Sequence, residues 1–297
     1  MRVVICEPEG MSPGIFEQLK AVAKVHLMNM GWGSIPTRFP DAFQPEVIWI
    51  RLRVRIDATV LDAAPNLRCI VTPTTGLTHL DLAECERRGI AVLSLKGETE
   101  FLQGIPATAE HTIGLILALI RKIPAACEHV RQGGWDRYQF QGRDLKGMLR
   151  YIVTGQGRVG KQVAKLCDAF GMKAVLKLAD ADVASIHVDL NDTTRGMCDA
   201  SFFSRMKSGA YFINTSRGEV VNEPALLDAL ESGQLAGAAL DVLCNEPEPR
   251  GPLIDYAREN PTRLIITPHL GGYTKESLER CECFMADKLL RWIKAHG

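Results

Sequence analysis

The sequence predicts an α/β protein made of two parallel-sheet domains. Short β-branched runs alternate with longer segments of helical periodicity along the whole chain, which is the pattern of consecutive βαβ units. The 297 residues are 46% hydrophobic and 24% charged, enough for two domains that each bury a core. The sequence contains no fixed-period repeat and no low-complexity tract, so a solenoid or fibrous architecture is excluded.

The first hundred residues predict one α/β unit. Apolar β-branched runs indicate strands at 3–6, 47–50, 69–71 and 91–93. Capping residues and periodicity indicate helices between them, at 12–22, 57–64 and 80–88. A strongly apolar segment at 107–122 then predicts a helix that ends before Pro124. Because its apolar surface is wide, we expect this helix to be buried between domains or between subunits.

A second series of the same kind follows. Its strands are expected at 151–154, 183–188, 210–214, 237–241 and 264–267. The final segment, 275–294, predicts a helix that could return to the first unit. The expected division is therefore a first domain at 1–103 with 275–297, and a second domain at 104–274.

Charge and cysteine content exclude several classes of function. The 35 Lys and Arg residues balance 35 Asp and Glu residues, so no overall field attracts nucleic acid or an anionic membrane. The longest apolar run, 113–120, is far shorter than the roughly 20 residues of a membrane span. The nine cysteines show no Cys-x-x-Cys spacing and are expected to be reduced, with no metal site. These features predict a cytoplasmic protein.

A glycine motif, Gly155-Gln-Gly157-Arg158-Val159-Gly160, lies between the strand at 151–154 and an amphipathic helix. One glycine permits the tight turn, one lets the backbone approach a pyrophosphate, and one lets the helix pack on the strand. The pyrophosphate would bind at the helix N-terminus. The context favours a dinucleotide site over the alternative, an ordinary glycine-rich turn.

Three polar segments follow strands of the second domain. They contain Arg217 after 210–214, Glu246 after 237–241 and His269 after 264–267. Ligands of parallel sheets bind outside the carboxyl ends of the strands, so these side chains could converge on one crevice. Taken singly, they would be a solvated charge, a turn residue and a loop histidine.

In this order after the glycine motif, the segments resemble the D-isomer-specific 2-hydroxyacid dehydrogenase family, and the likeness covers nearly the whole chain. Thr72-Pro-Thr-Thr-Gly76, Ala109-Glu-His-Thr and Gly133-Gly-Trp-Asp are similar as well. The resemblance implies two Rossmann-like or flavodoxin-like domains with the active site in the cleft between them. It also implies hydride transfer between NAD, or NADP, and a 2-oxo or D-2-hydroxy acid. The segments at 95–100 and 105–111 favour the phosphoglycerate-dehydrogenase branch.

This chemistry suits the three residue types. A planar guanidinium, that of Arg217, can hold the substrate carboxylate and polarise the neighbouring carbonyl. Reduction of the carbonyl needs a proton donor that titrates near neutrality, which is the role expected of His269. A carboxylate on the far ring nitrogen favours the imidazolium, and this role is assigned to Glu246.

The resemblance implies further site residues and partners. Backbone N–H groups of Thr75 and Gly76 would bind the substrate carboxylate, and Thr215 and Asp241 would lie near the nicotinamide. The complete set expected at the cofactor is Gly155, Gly157, Arg158, Val159, Gly160, Thr215, Asp241 and Gly272. A homodimer through the 107–122 helix is expected. The alternative is a cofactor-sensing or corepressor-like binding protein of the same fold.

Several basic residues are interpreted as structural. His111 is expected to be a packed or interface histidine. Arg51, Arg53 and Arg55 alternate along a strand end and are expected to form one solvated face, the alternative being contact with a phosphorylated or dicarboxylate substrate.

The chain departs from the family after its first βα unit. There the strand expected at 173–177 should end in an acid for the adenosine ribose, but the position holds Leu178, and further elements are absent. We interpret 178–182 as the end of a lost helix, which leaves Asp180 without that role. The strands at 173–177 and 183–188 should flank the first strand, with ends about 20 Å apart, while five residues reach at most about 18 Å.

This estimate predicts that the chain cannot easily complete a dinucleotide domain. A βαβ crossover normally takes a dozen residues or more, so roughly two dozen residues are missing here. Either they are truly deleted, or the protein has them and this sequence lacks them. The second explanation is favoured because the glycines, Arg217, Glu246 and His269 all remain. The choice between NAD and NADP depends on the missing residues.

Overall fold

The computed structural model describes residues 1–30, 39, 43–153, 157–246 and 249–296. The chain divides into two compact units, one formed by Met1–Leu102 with Thr274–Gly297 and the other by Gln103–Tyr273. Each unit contains one sheet in which all strand pairs are parallel. Of the helices in the described ranges, none has both the length and the apolar character to cross a bilayer.

The strands, in chain order, are β1 Arg2–Ile5, β2 Lys24–Leu27, β3 Val47–Trp49, β4 Cys69–Val71, β5 Ala91–Leu93, β6 Leu149–Val153, β7 Lys173–Ala174, β8 Val183–Ile186, β9 Ala210–Asn214, β10 Leu235–Leu240 and β11 Leu264–Ile266. The helices are α1 Pro13–Lys20, α2 Ala58–Ala63, α3 Leu82–Arg87, α4 Thr99–Gln103, α5 Ala107–Ile120, α6 Ile123–Arg131, α7 Arg158–Ala169, α8 Ala200–Ser204, α9 Glu223–Glu231, α10 Pro252–Glu259 and α11 Lys275–His296.

The first unit has the strand order β2-β1-β3-β4-β5. Strands β3 and β4 are buried along their whole length, as continuous apolar runs in a covered parallel sheet should be. Strand β2 was not predicted from the sequence. It lies at the sheet edge with Lys24 and Leu27 exposed, so it lacks the apolar pattern by which a strand is recognised. The C-terminal helix α11 packs against α1 of this unit.

A buried ion pair lies at the end of β3. Nε of Arg51 donates to Oε1 of Glu282 over 2.7 Å, and Nη2 donates to the same oxygen. Arg51 is 7% exposed and Glu282 is fully buried in α11. The expectation that Arg51 belongs to a solvated face is therefore wrong. A carboxylate from a helix distant in sequence neutralises its charge, and no local pattern reveals that pairing.

A second carboxylate, that of Glu7, orders the same loop. Oε1 of Glu7 accepts the backbone N–H of Arg51 at 2.8 Å and that of Val54 at 3.3 Å. Burial raises the pKa of Glu7 and of Glu282, and in each case the Arg51 charge opposes the rise. The loop after β3 is thus held by two buried acids on either side of one arginine.

The second unit has the strand order β11-β10-β9-β8-β6-β7. Helix α5 lies in its core, where Ile113, Ile116 and Leu119 pack with residues of α7, β9 and β10. The apolar surface of this helix is therefore already covered within the unit. It does not need burial between domains or subunits, which was the physical reason for expecting a dimer through 107–122.

The segment between β7 and β8 connects the two strands without additional residues. Strand β7 is only Lys173–Ala174, not the 173–177 expected. The N–H of Val175 donates to Arg150 O over 3.0 Å, and that of Asp182 donates to Leu149 O over 2.8 Å on the other side of β6. Because β7 stops early, the connection has only two strand spacings to cross, about 10 Å. The connection therefore fits only because most of β7 is given up, in line with the expectation that five residues cannot follow a full-length strand and complete the domain.

Replacing Glu282 tests its buried ion pair with Arg51. We expect Glu282→Ala to lower the free energy of unfolding by about 3–5 kcal/mol, because it leaves the Arg51 charge buried without its partner. Urea unfolding monitored by circular dichroism measures the change. The matched control is Glu279→Ala, an exposed acid of the same helix, for which a change within about 0.5 kcal/mol is expected. Equal effects of the two substitutions would contradict a buried pair.

Candidate active site

A turn after β9 presents Arg217 at the carboxyl end of the sheet. The side chain of Asn214, which is fully buried, closes this turn. Its Oδ1 accepts the N–H and the hydroxyl of Ser216 at 2.9 and 2.8 Å, and its Nδ2 donates to the carbonyl of Arg217 over 2.9 Å. Asn214 was not singled out in the sequence, where it is simply the last residue of a predicted strand.

Gly218 brings this turn against the turn that follows β10. A Cβ atom at Gly218 would lie 2.0 Å from the carbonyl carbon of Leu243 and 2.4 Å from the nitrogen of Cys244. Only glycine permits this approach of two backbones. The contact sets the distance between the segment that carries Arg217 and the one that carries Glu246.

The carboxylate of Glu246 is fixed by its own turn. Its Oε1 accepts the N–H of Leu243 over 2.9 Å, while the N–H of Cys244 is taken by Glu223 of α9 over 2.8 Å. Asn245 adopts a positive φ of 61°, which asparagine tolerates better than most residues. The other oxygen of Glu246, Oε2, remains for a contact outside the turn.

That contact is made by His269, which follows β11. Nδ1 of His269 lies 2.6 Å from Oε2 of Glu246. A carboxylate at Nδ1 fixes the orientation of the ring and leaves Nε2 as the nitrogen that can exchange a proton. His269 itself has a φ of 55°, a conformation that costs energy in a residue with a side chain and that its surroundings must maintain.

Arg217 lies within the field of the same carboxylate. Burial lowers the pKa of its guanidinium, and the charges of Glu246, Asp189 and Glu219 oppose that shift. The group stays protonated at neutral pH. The structure therefore brings Arg217, Glu246 and His269 together beyond the carboxyl ends of β9, β10 and β11.

The backbone around His269 is held by Asp241, which is 1% exposed. Its Oδ1 accepts the Thr267 hydroxyl over 2.6 Å and the Leu270 N–H over 2.8 Å, and its Oδ2 accepts the Gly271 N–H over 2.7 Å. Nε2 of His111 lies 3.0 Å from Oδ1. Burial raises the pKa of Asp241, but the hydrogen bonds outweigh it and the pKa is lowered.

A chain of hydroxyl groups runs beneath the turn after β9. The Thr112 hydroxyl donates to Thr108 O over 2.7 Å, so in its 2.9 Å contact with Thr215 it must accept. The Thr215 oxygen then accepts from Nδ1 of His187 at 3.4 Å, and Nε2 of His187 accepts from Ser185 at 3.1 Å. Burial lowers the pKa of His187 to about 4, so this ring is neutral at pH 7. This series of hydrogen bonds orients the Thr215 hydroxyl.

The glycine motif can accommodate a dinucleotide. Gly155 lies outside the described residues. Gly157 is the N-cap of α7, where a Cβ atom would meet only the carbonyl oxygen of His187, at 3.9 Å, so a ligand can approach this backbone closely. First-turn N–H groups of a helix have no partners within the helix, and those of α7 belong to Arg158, Val159 and Gly160. They suit a pyrophosphate.

The remaining predicted residues lie in loops. Gly272 is exposed in the turn after His269. Thr75 and Gly76 belong to the first unit, in the loop after β4, where the Thr74 hydroxyl donates to the Gly76 carbonyl over 2.9 Å.

Comparison with known proteins now adds to this geometry. A model of the D-isomer specific 2-hydroxyacid dehydrogenase, NAD binding domain, matches residues 113–177 and 176–271. The two stretches meet at the short connection after β7. The chain is 33% identical over 272 residues to D-3-phosphoglycerate dehydrogenase of Archaeoglobus fulgidus, which covers 84% of this chain and 50% of that protein. It is 35% identical over 268 residues to glyoxylate reductase of Thermofilum pendens, covering 81% and 76%.

Solved structures give the same result. The D-lactate dehydrogenase of Aquifex aeolicus, complexed with NAD and lactic acid, matches with a TM-score of 0.80 at 26% identity and covers 99% of this chain and 96% of its own. The NAD-dependent formate dehydrogenase of Staphylococcus aureus, in complex with NAD, matches with a TM-score of 0.82 at 25% identity, covering 100% and 97%.

The chain belongs to the D-isomer-specific 2-hydroxyacid dehydrogenase family. The resemblance, the two parallel-sheet α/β domains and NAD as the cofactor are confirmed by these matches. The chain spans about half the length of the phosphoglycerate dehydrogenases that it matches.

Substituting the buried acid behind His269 tests its role in the site. We expect Asp241→Asn to lower the free energy of unfolding by about 2–4 kcal/mol, because an amide nitrogen then faces a backbone or hydroxyl donor in a buried place. Thermal and urea unfolding measure the loss. Asp228→Asn, at an exposed position of α9, is the control and should change stability by less than about 0.5 kcal/mol. An unchanged stability of Asp241→Asn would contradict the hydrogen-bond network described here.

Proposed function

We propose that this chain is an NAD-dependent oxidoreductase that interconverts a 2-oxo acid and a D-2-hydroxy acid. The observation that carries the proposal is the 2.6 Å contact between Nδ1 of His269 and Glu246, whose charge also acts on the Arg217 guanidinium. The cofactor supplies the hydride when it is bound.

His269 is the general acid and base of the proposed reaction. In reduction its Nε2 donates a proton to the carbonyl oxygen of the substrate, and in oxidation it takes the proton from the hydroxyl. Glu246 binds Nδ1 and so keeps Nε2 directed away from itself. Arg217 binds the substrate carboxylate and polarises the adjoining carbonyl. The carboxylate-binding role of the Thr75 and Gly76 N–H groups stays a prediction.

The cofactor contacts follow from the start of α7. N–H groups of Arg158, Val159 and Gly160 bind the pyrophosphate, and Gly157 and Gly155 let the backbone approach it. Thr215, Asp241 and Gly272 are assigned to the nicotinamide end. In this assignment 104–274 is the dinucleotide-binding domain, and 1–103 with 275–297 is the substrate-binding domain.

The substrate is proposed to be a small 2-oxo or 2-hydroxy acid. Relatives named D-3-phosphoglycerate dehydrogenase and glyoxylate reductase both match, and both names denote chemistry on such acids. Arg51 is assigned no role toward an anionic substrate, because the Glu282 carboxylate already occupies its guanidinium.

One observation favours a second candidate function. Strand β7 is only two residues long, so the dinucleotide-binding sheet has lost most of one strand. A cofactor-sensing or corepressor-like binding protein would tolerate this loss, because it requires binding but no turnover. The contact between Glu246 and His269, in a place where the Arg217 charge acts on the same carboxylate, favours the enzyme.

Removing the imidazole separates the two candidates. We expect wild-type protein to oxidise NADH with at least one of a panel of 2-oxo acids, and His269→Ala to lower kcat by about 100-fold or more. Absorbance at the NADH band measures turnover, and fluorescence titration measures NADH binding, which should stay within about threefold because His269 takes no part in holding the pyrophosphate. His296→Ala, an exposed histidine of α11, is the control and should match wild type. A folded wild-type protein that binds NADH and turns over no acid would contradict the dehydrogenase.

We propose a homodimer, formed through a surface other than α5. Large apolar side chains are exposed on α6 and in the segment that follows it, where Trp135 is 89%, Tyr138 87% and Val130 49% exposed. Large apolar side chains exposed this close together in sequence favour an association surface here. A second copy of the chain is the proposed occupant.

The mass in solution tests this association. We expect light scattering to give twice the chain mass of 32.7 kDa for wild type, and a shift toward monomer for Trp135→Asp, because a buried unpaired charge opposes association. Val22→Asp, a 49% exposed apolar residue of the first unit, is the matched control and should leave the mass unchanged. A monomeric wild type would remove the proposed dimer.

A further inference from the structure

Strand β7 ends well before the strand beside it. The last pair between them joins Ala174 to Arg150, whereas β6 continues through Tyr151 and Ile152 to Val153. At about 3.3 Å per residue, β6 runs on for about 10 Å toward the cofactor edge without β7. In the described residues, no other strand pairs with β6 on that side.

This shortfall falls at the point that usually distinguishes the two nicotinamide dinucleotides. In a doubly wound dinucleotide domain, the carboxyl end of the second strand carries an acid that binds the ribose 2′-OH, or has a basic residue nearby that accommodates a 2′-phosphate. Here the second strand is β7, and the residues after it are Val175, Leu176 and Lys177. None of them is an acid, and Leu176 is 96% exposed. The one basic residue, Lys177, is exposed, and no ion pair to a described residue holds its side chain in place.

The next acids along the chain lie near the amino ends of the strands, away from the carboxyl ends where the cofactor would bind. Asp182 is bound at the amino end of β6, where it accepts the Leu149 N–H over 2.9 Å, and it also accepts from Lys207 over 2.7 Å. Asp180 is two residues earlier, so its Cα lies at most about 7 Å from that of Asp182. Val153 is about 13 Å from Leu149, in the direction of the cofactor.

We infer that this chain binds NADH and NADPH with nearly equal affinity, because β7 and the connection after it offer no acid for the ribose 2′-OH and no anchored basic group for a 2′-phosphate. The inference rests on the proposed function, since it concerns the cofactor of the same site. Binding then depends on groups that both dinucleotides share. These are the pyrophosphate, which the N-terminus of α7 is assigned to hold, and the nicotinamide.

Fluorescence titration with each reduced dinucleotide, without substrate, tests the inference. The protein should first be shown to have the intact mass of this chain, 32.7 kDa. We expect the two dissociation constants to agree within about threefold, whereas a carboxylate bound to the ribose would separate them by about 10- to 100-fold. A ratio above about three in either direction would overturn the inference.

Three substitutions refine the test. Asp180→Asn and Lys177→Ala should leave the ratio of the two constants unchanged, as should the exposed control Asp228→Asn. If Asp180→Asn selectively weakens NADH, Asp180 binds the ribose and the inference is wrong. If Lys177→Ala selectively weakens NADPH, a 2′-phosphate site exists and the inference is also wrong. Failure to bind either dinucleotide would overturn the proposed function and the inference together, while a strong preference for one overturns the inference alone.

Discussion

The polar site of the second unit depends on one buried carboxylate. Asp241 binds the Thr267 hydroxyl and the N–H groups of Leu270 and Gly271, so it fixes the backbone on both sides of His269. That backbone keeps His269 in a left-handed conformation, from which its ring meets Glu246. The favourable hydrogen bonds of a buried charge thus stabilise a strained residue at the place where its side chain is required.

The sequence predicts the convergence of Arg217, Glu246 and His269 because strand ends in a parallel sheet share one edge, and strand positions follow from apolar runs. It does not predict Gly218, because the need for glycine there arises from a backbone that is distant in sequence. It also misassigns Arg51, since Glu282 lies on a helix more than two hundred residues away. Pairings between residues distant in sequence depend on the fold, and a local sequence pattern does not reveal them.

The crossover after β7 shows how the chain resolves the conflict between strand length and connection length. The distance estimate took the strand as fixed and the connection as variable, whereas the chain shortens the strand until the connection fits. Pairing along β6 is lost, and the parallel order of the remaining strands is kept. Each pair of residues between β6 and β7 contributes modestly to the stability of the sheet, while the sheet order determines which strand ends come together. Giving up part of an edge strand therefore leaves the polar site beyond β9, β10 and β11 in place.

The short β7 also changes how the second unit meets other chains. Along Tyr151, Ile152 and Val153, one side of β6 lies beyond the reach of β7, and no other strand of the described chain covers it. Open backbone donors and acceptors on a flat apolar strand are a template for intermolecular strand addition, which proteins usually block with charges, bulges or a covering segment. The truncation that alters the dinucleotide-binding edge thus also exposes this part of β6 to strand addition.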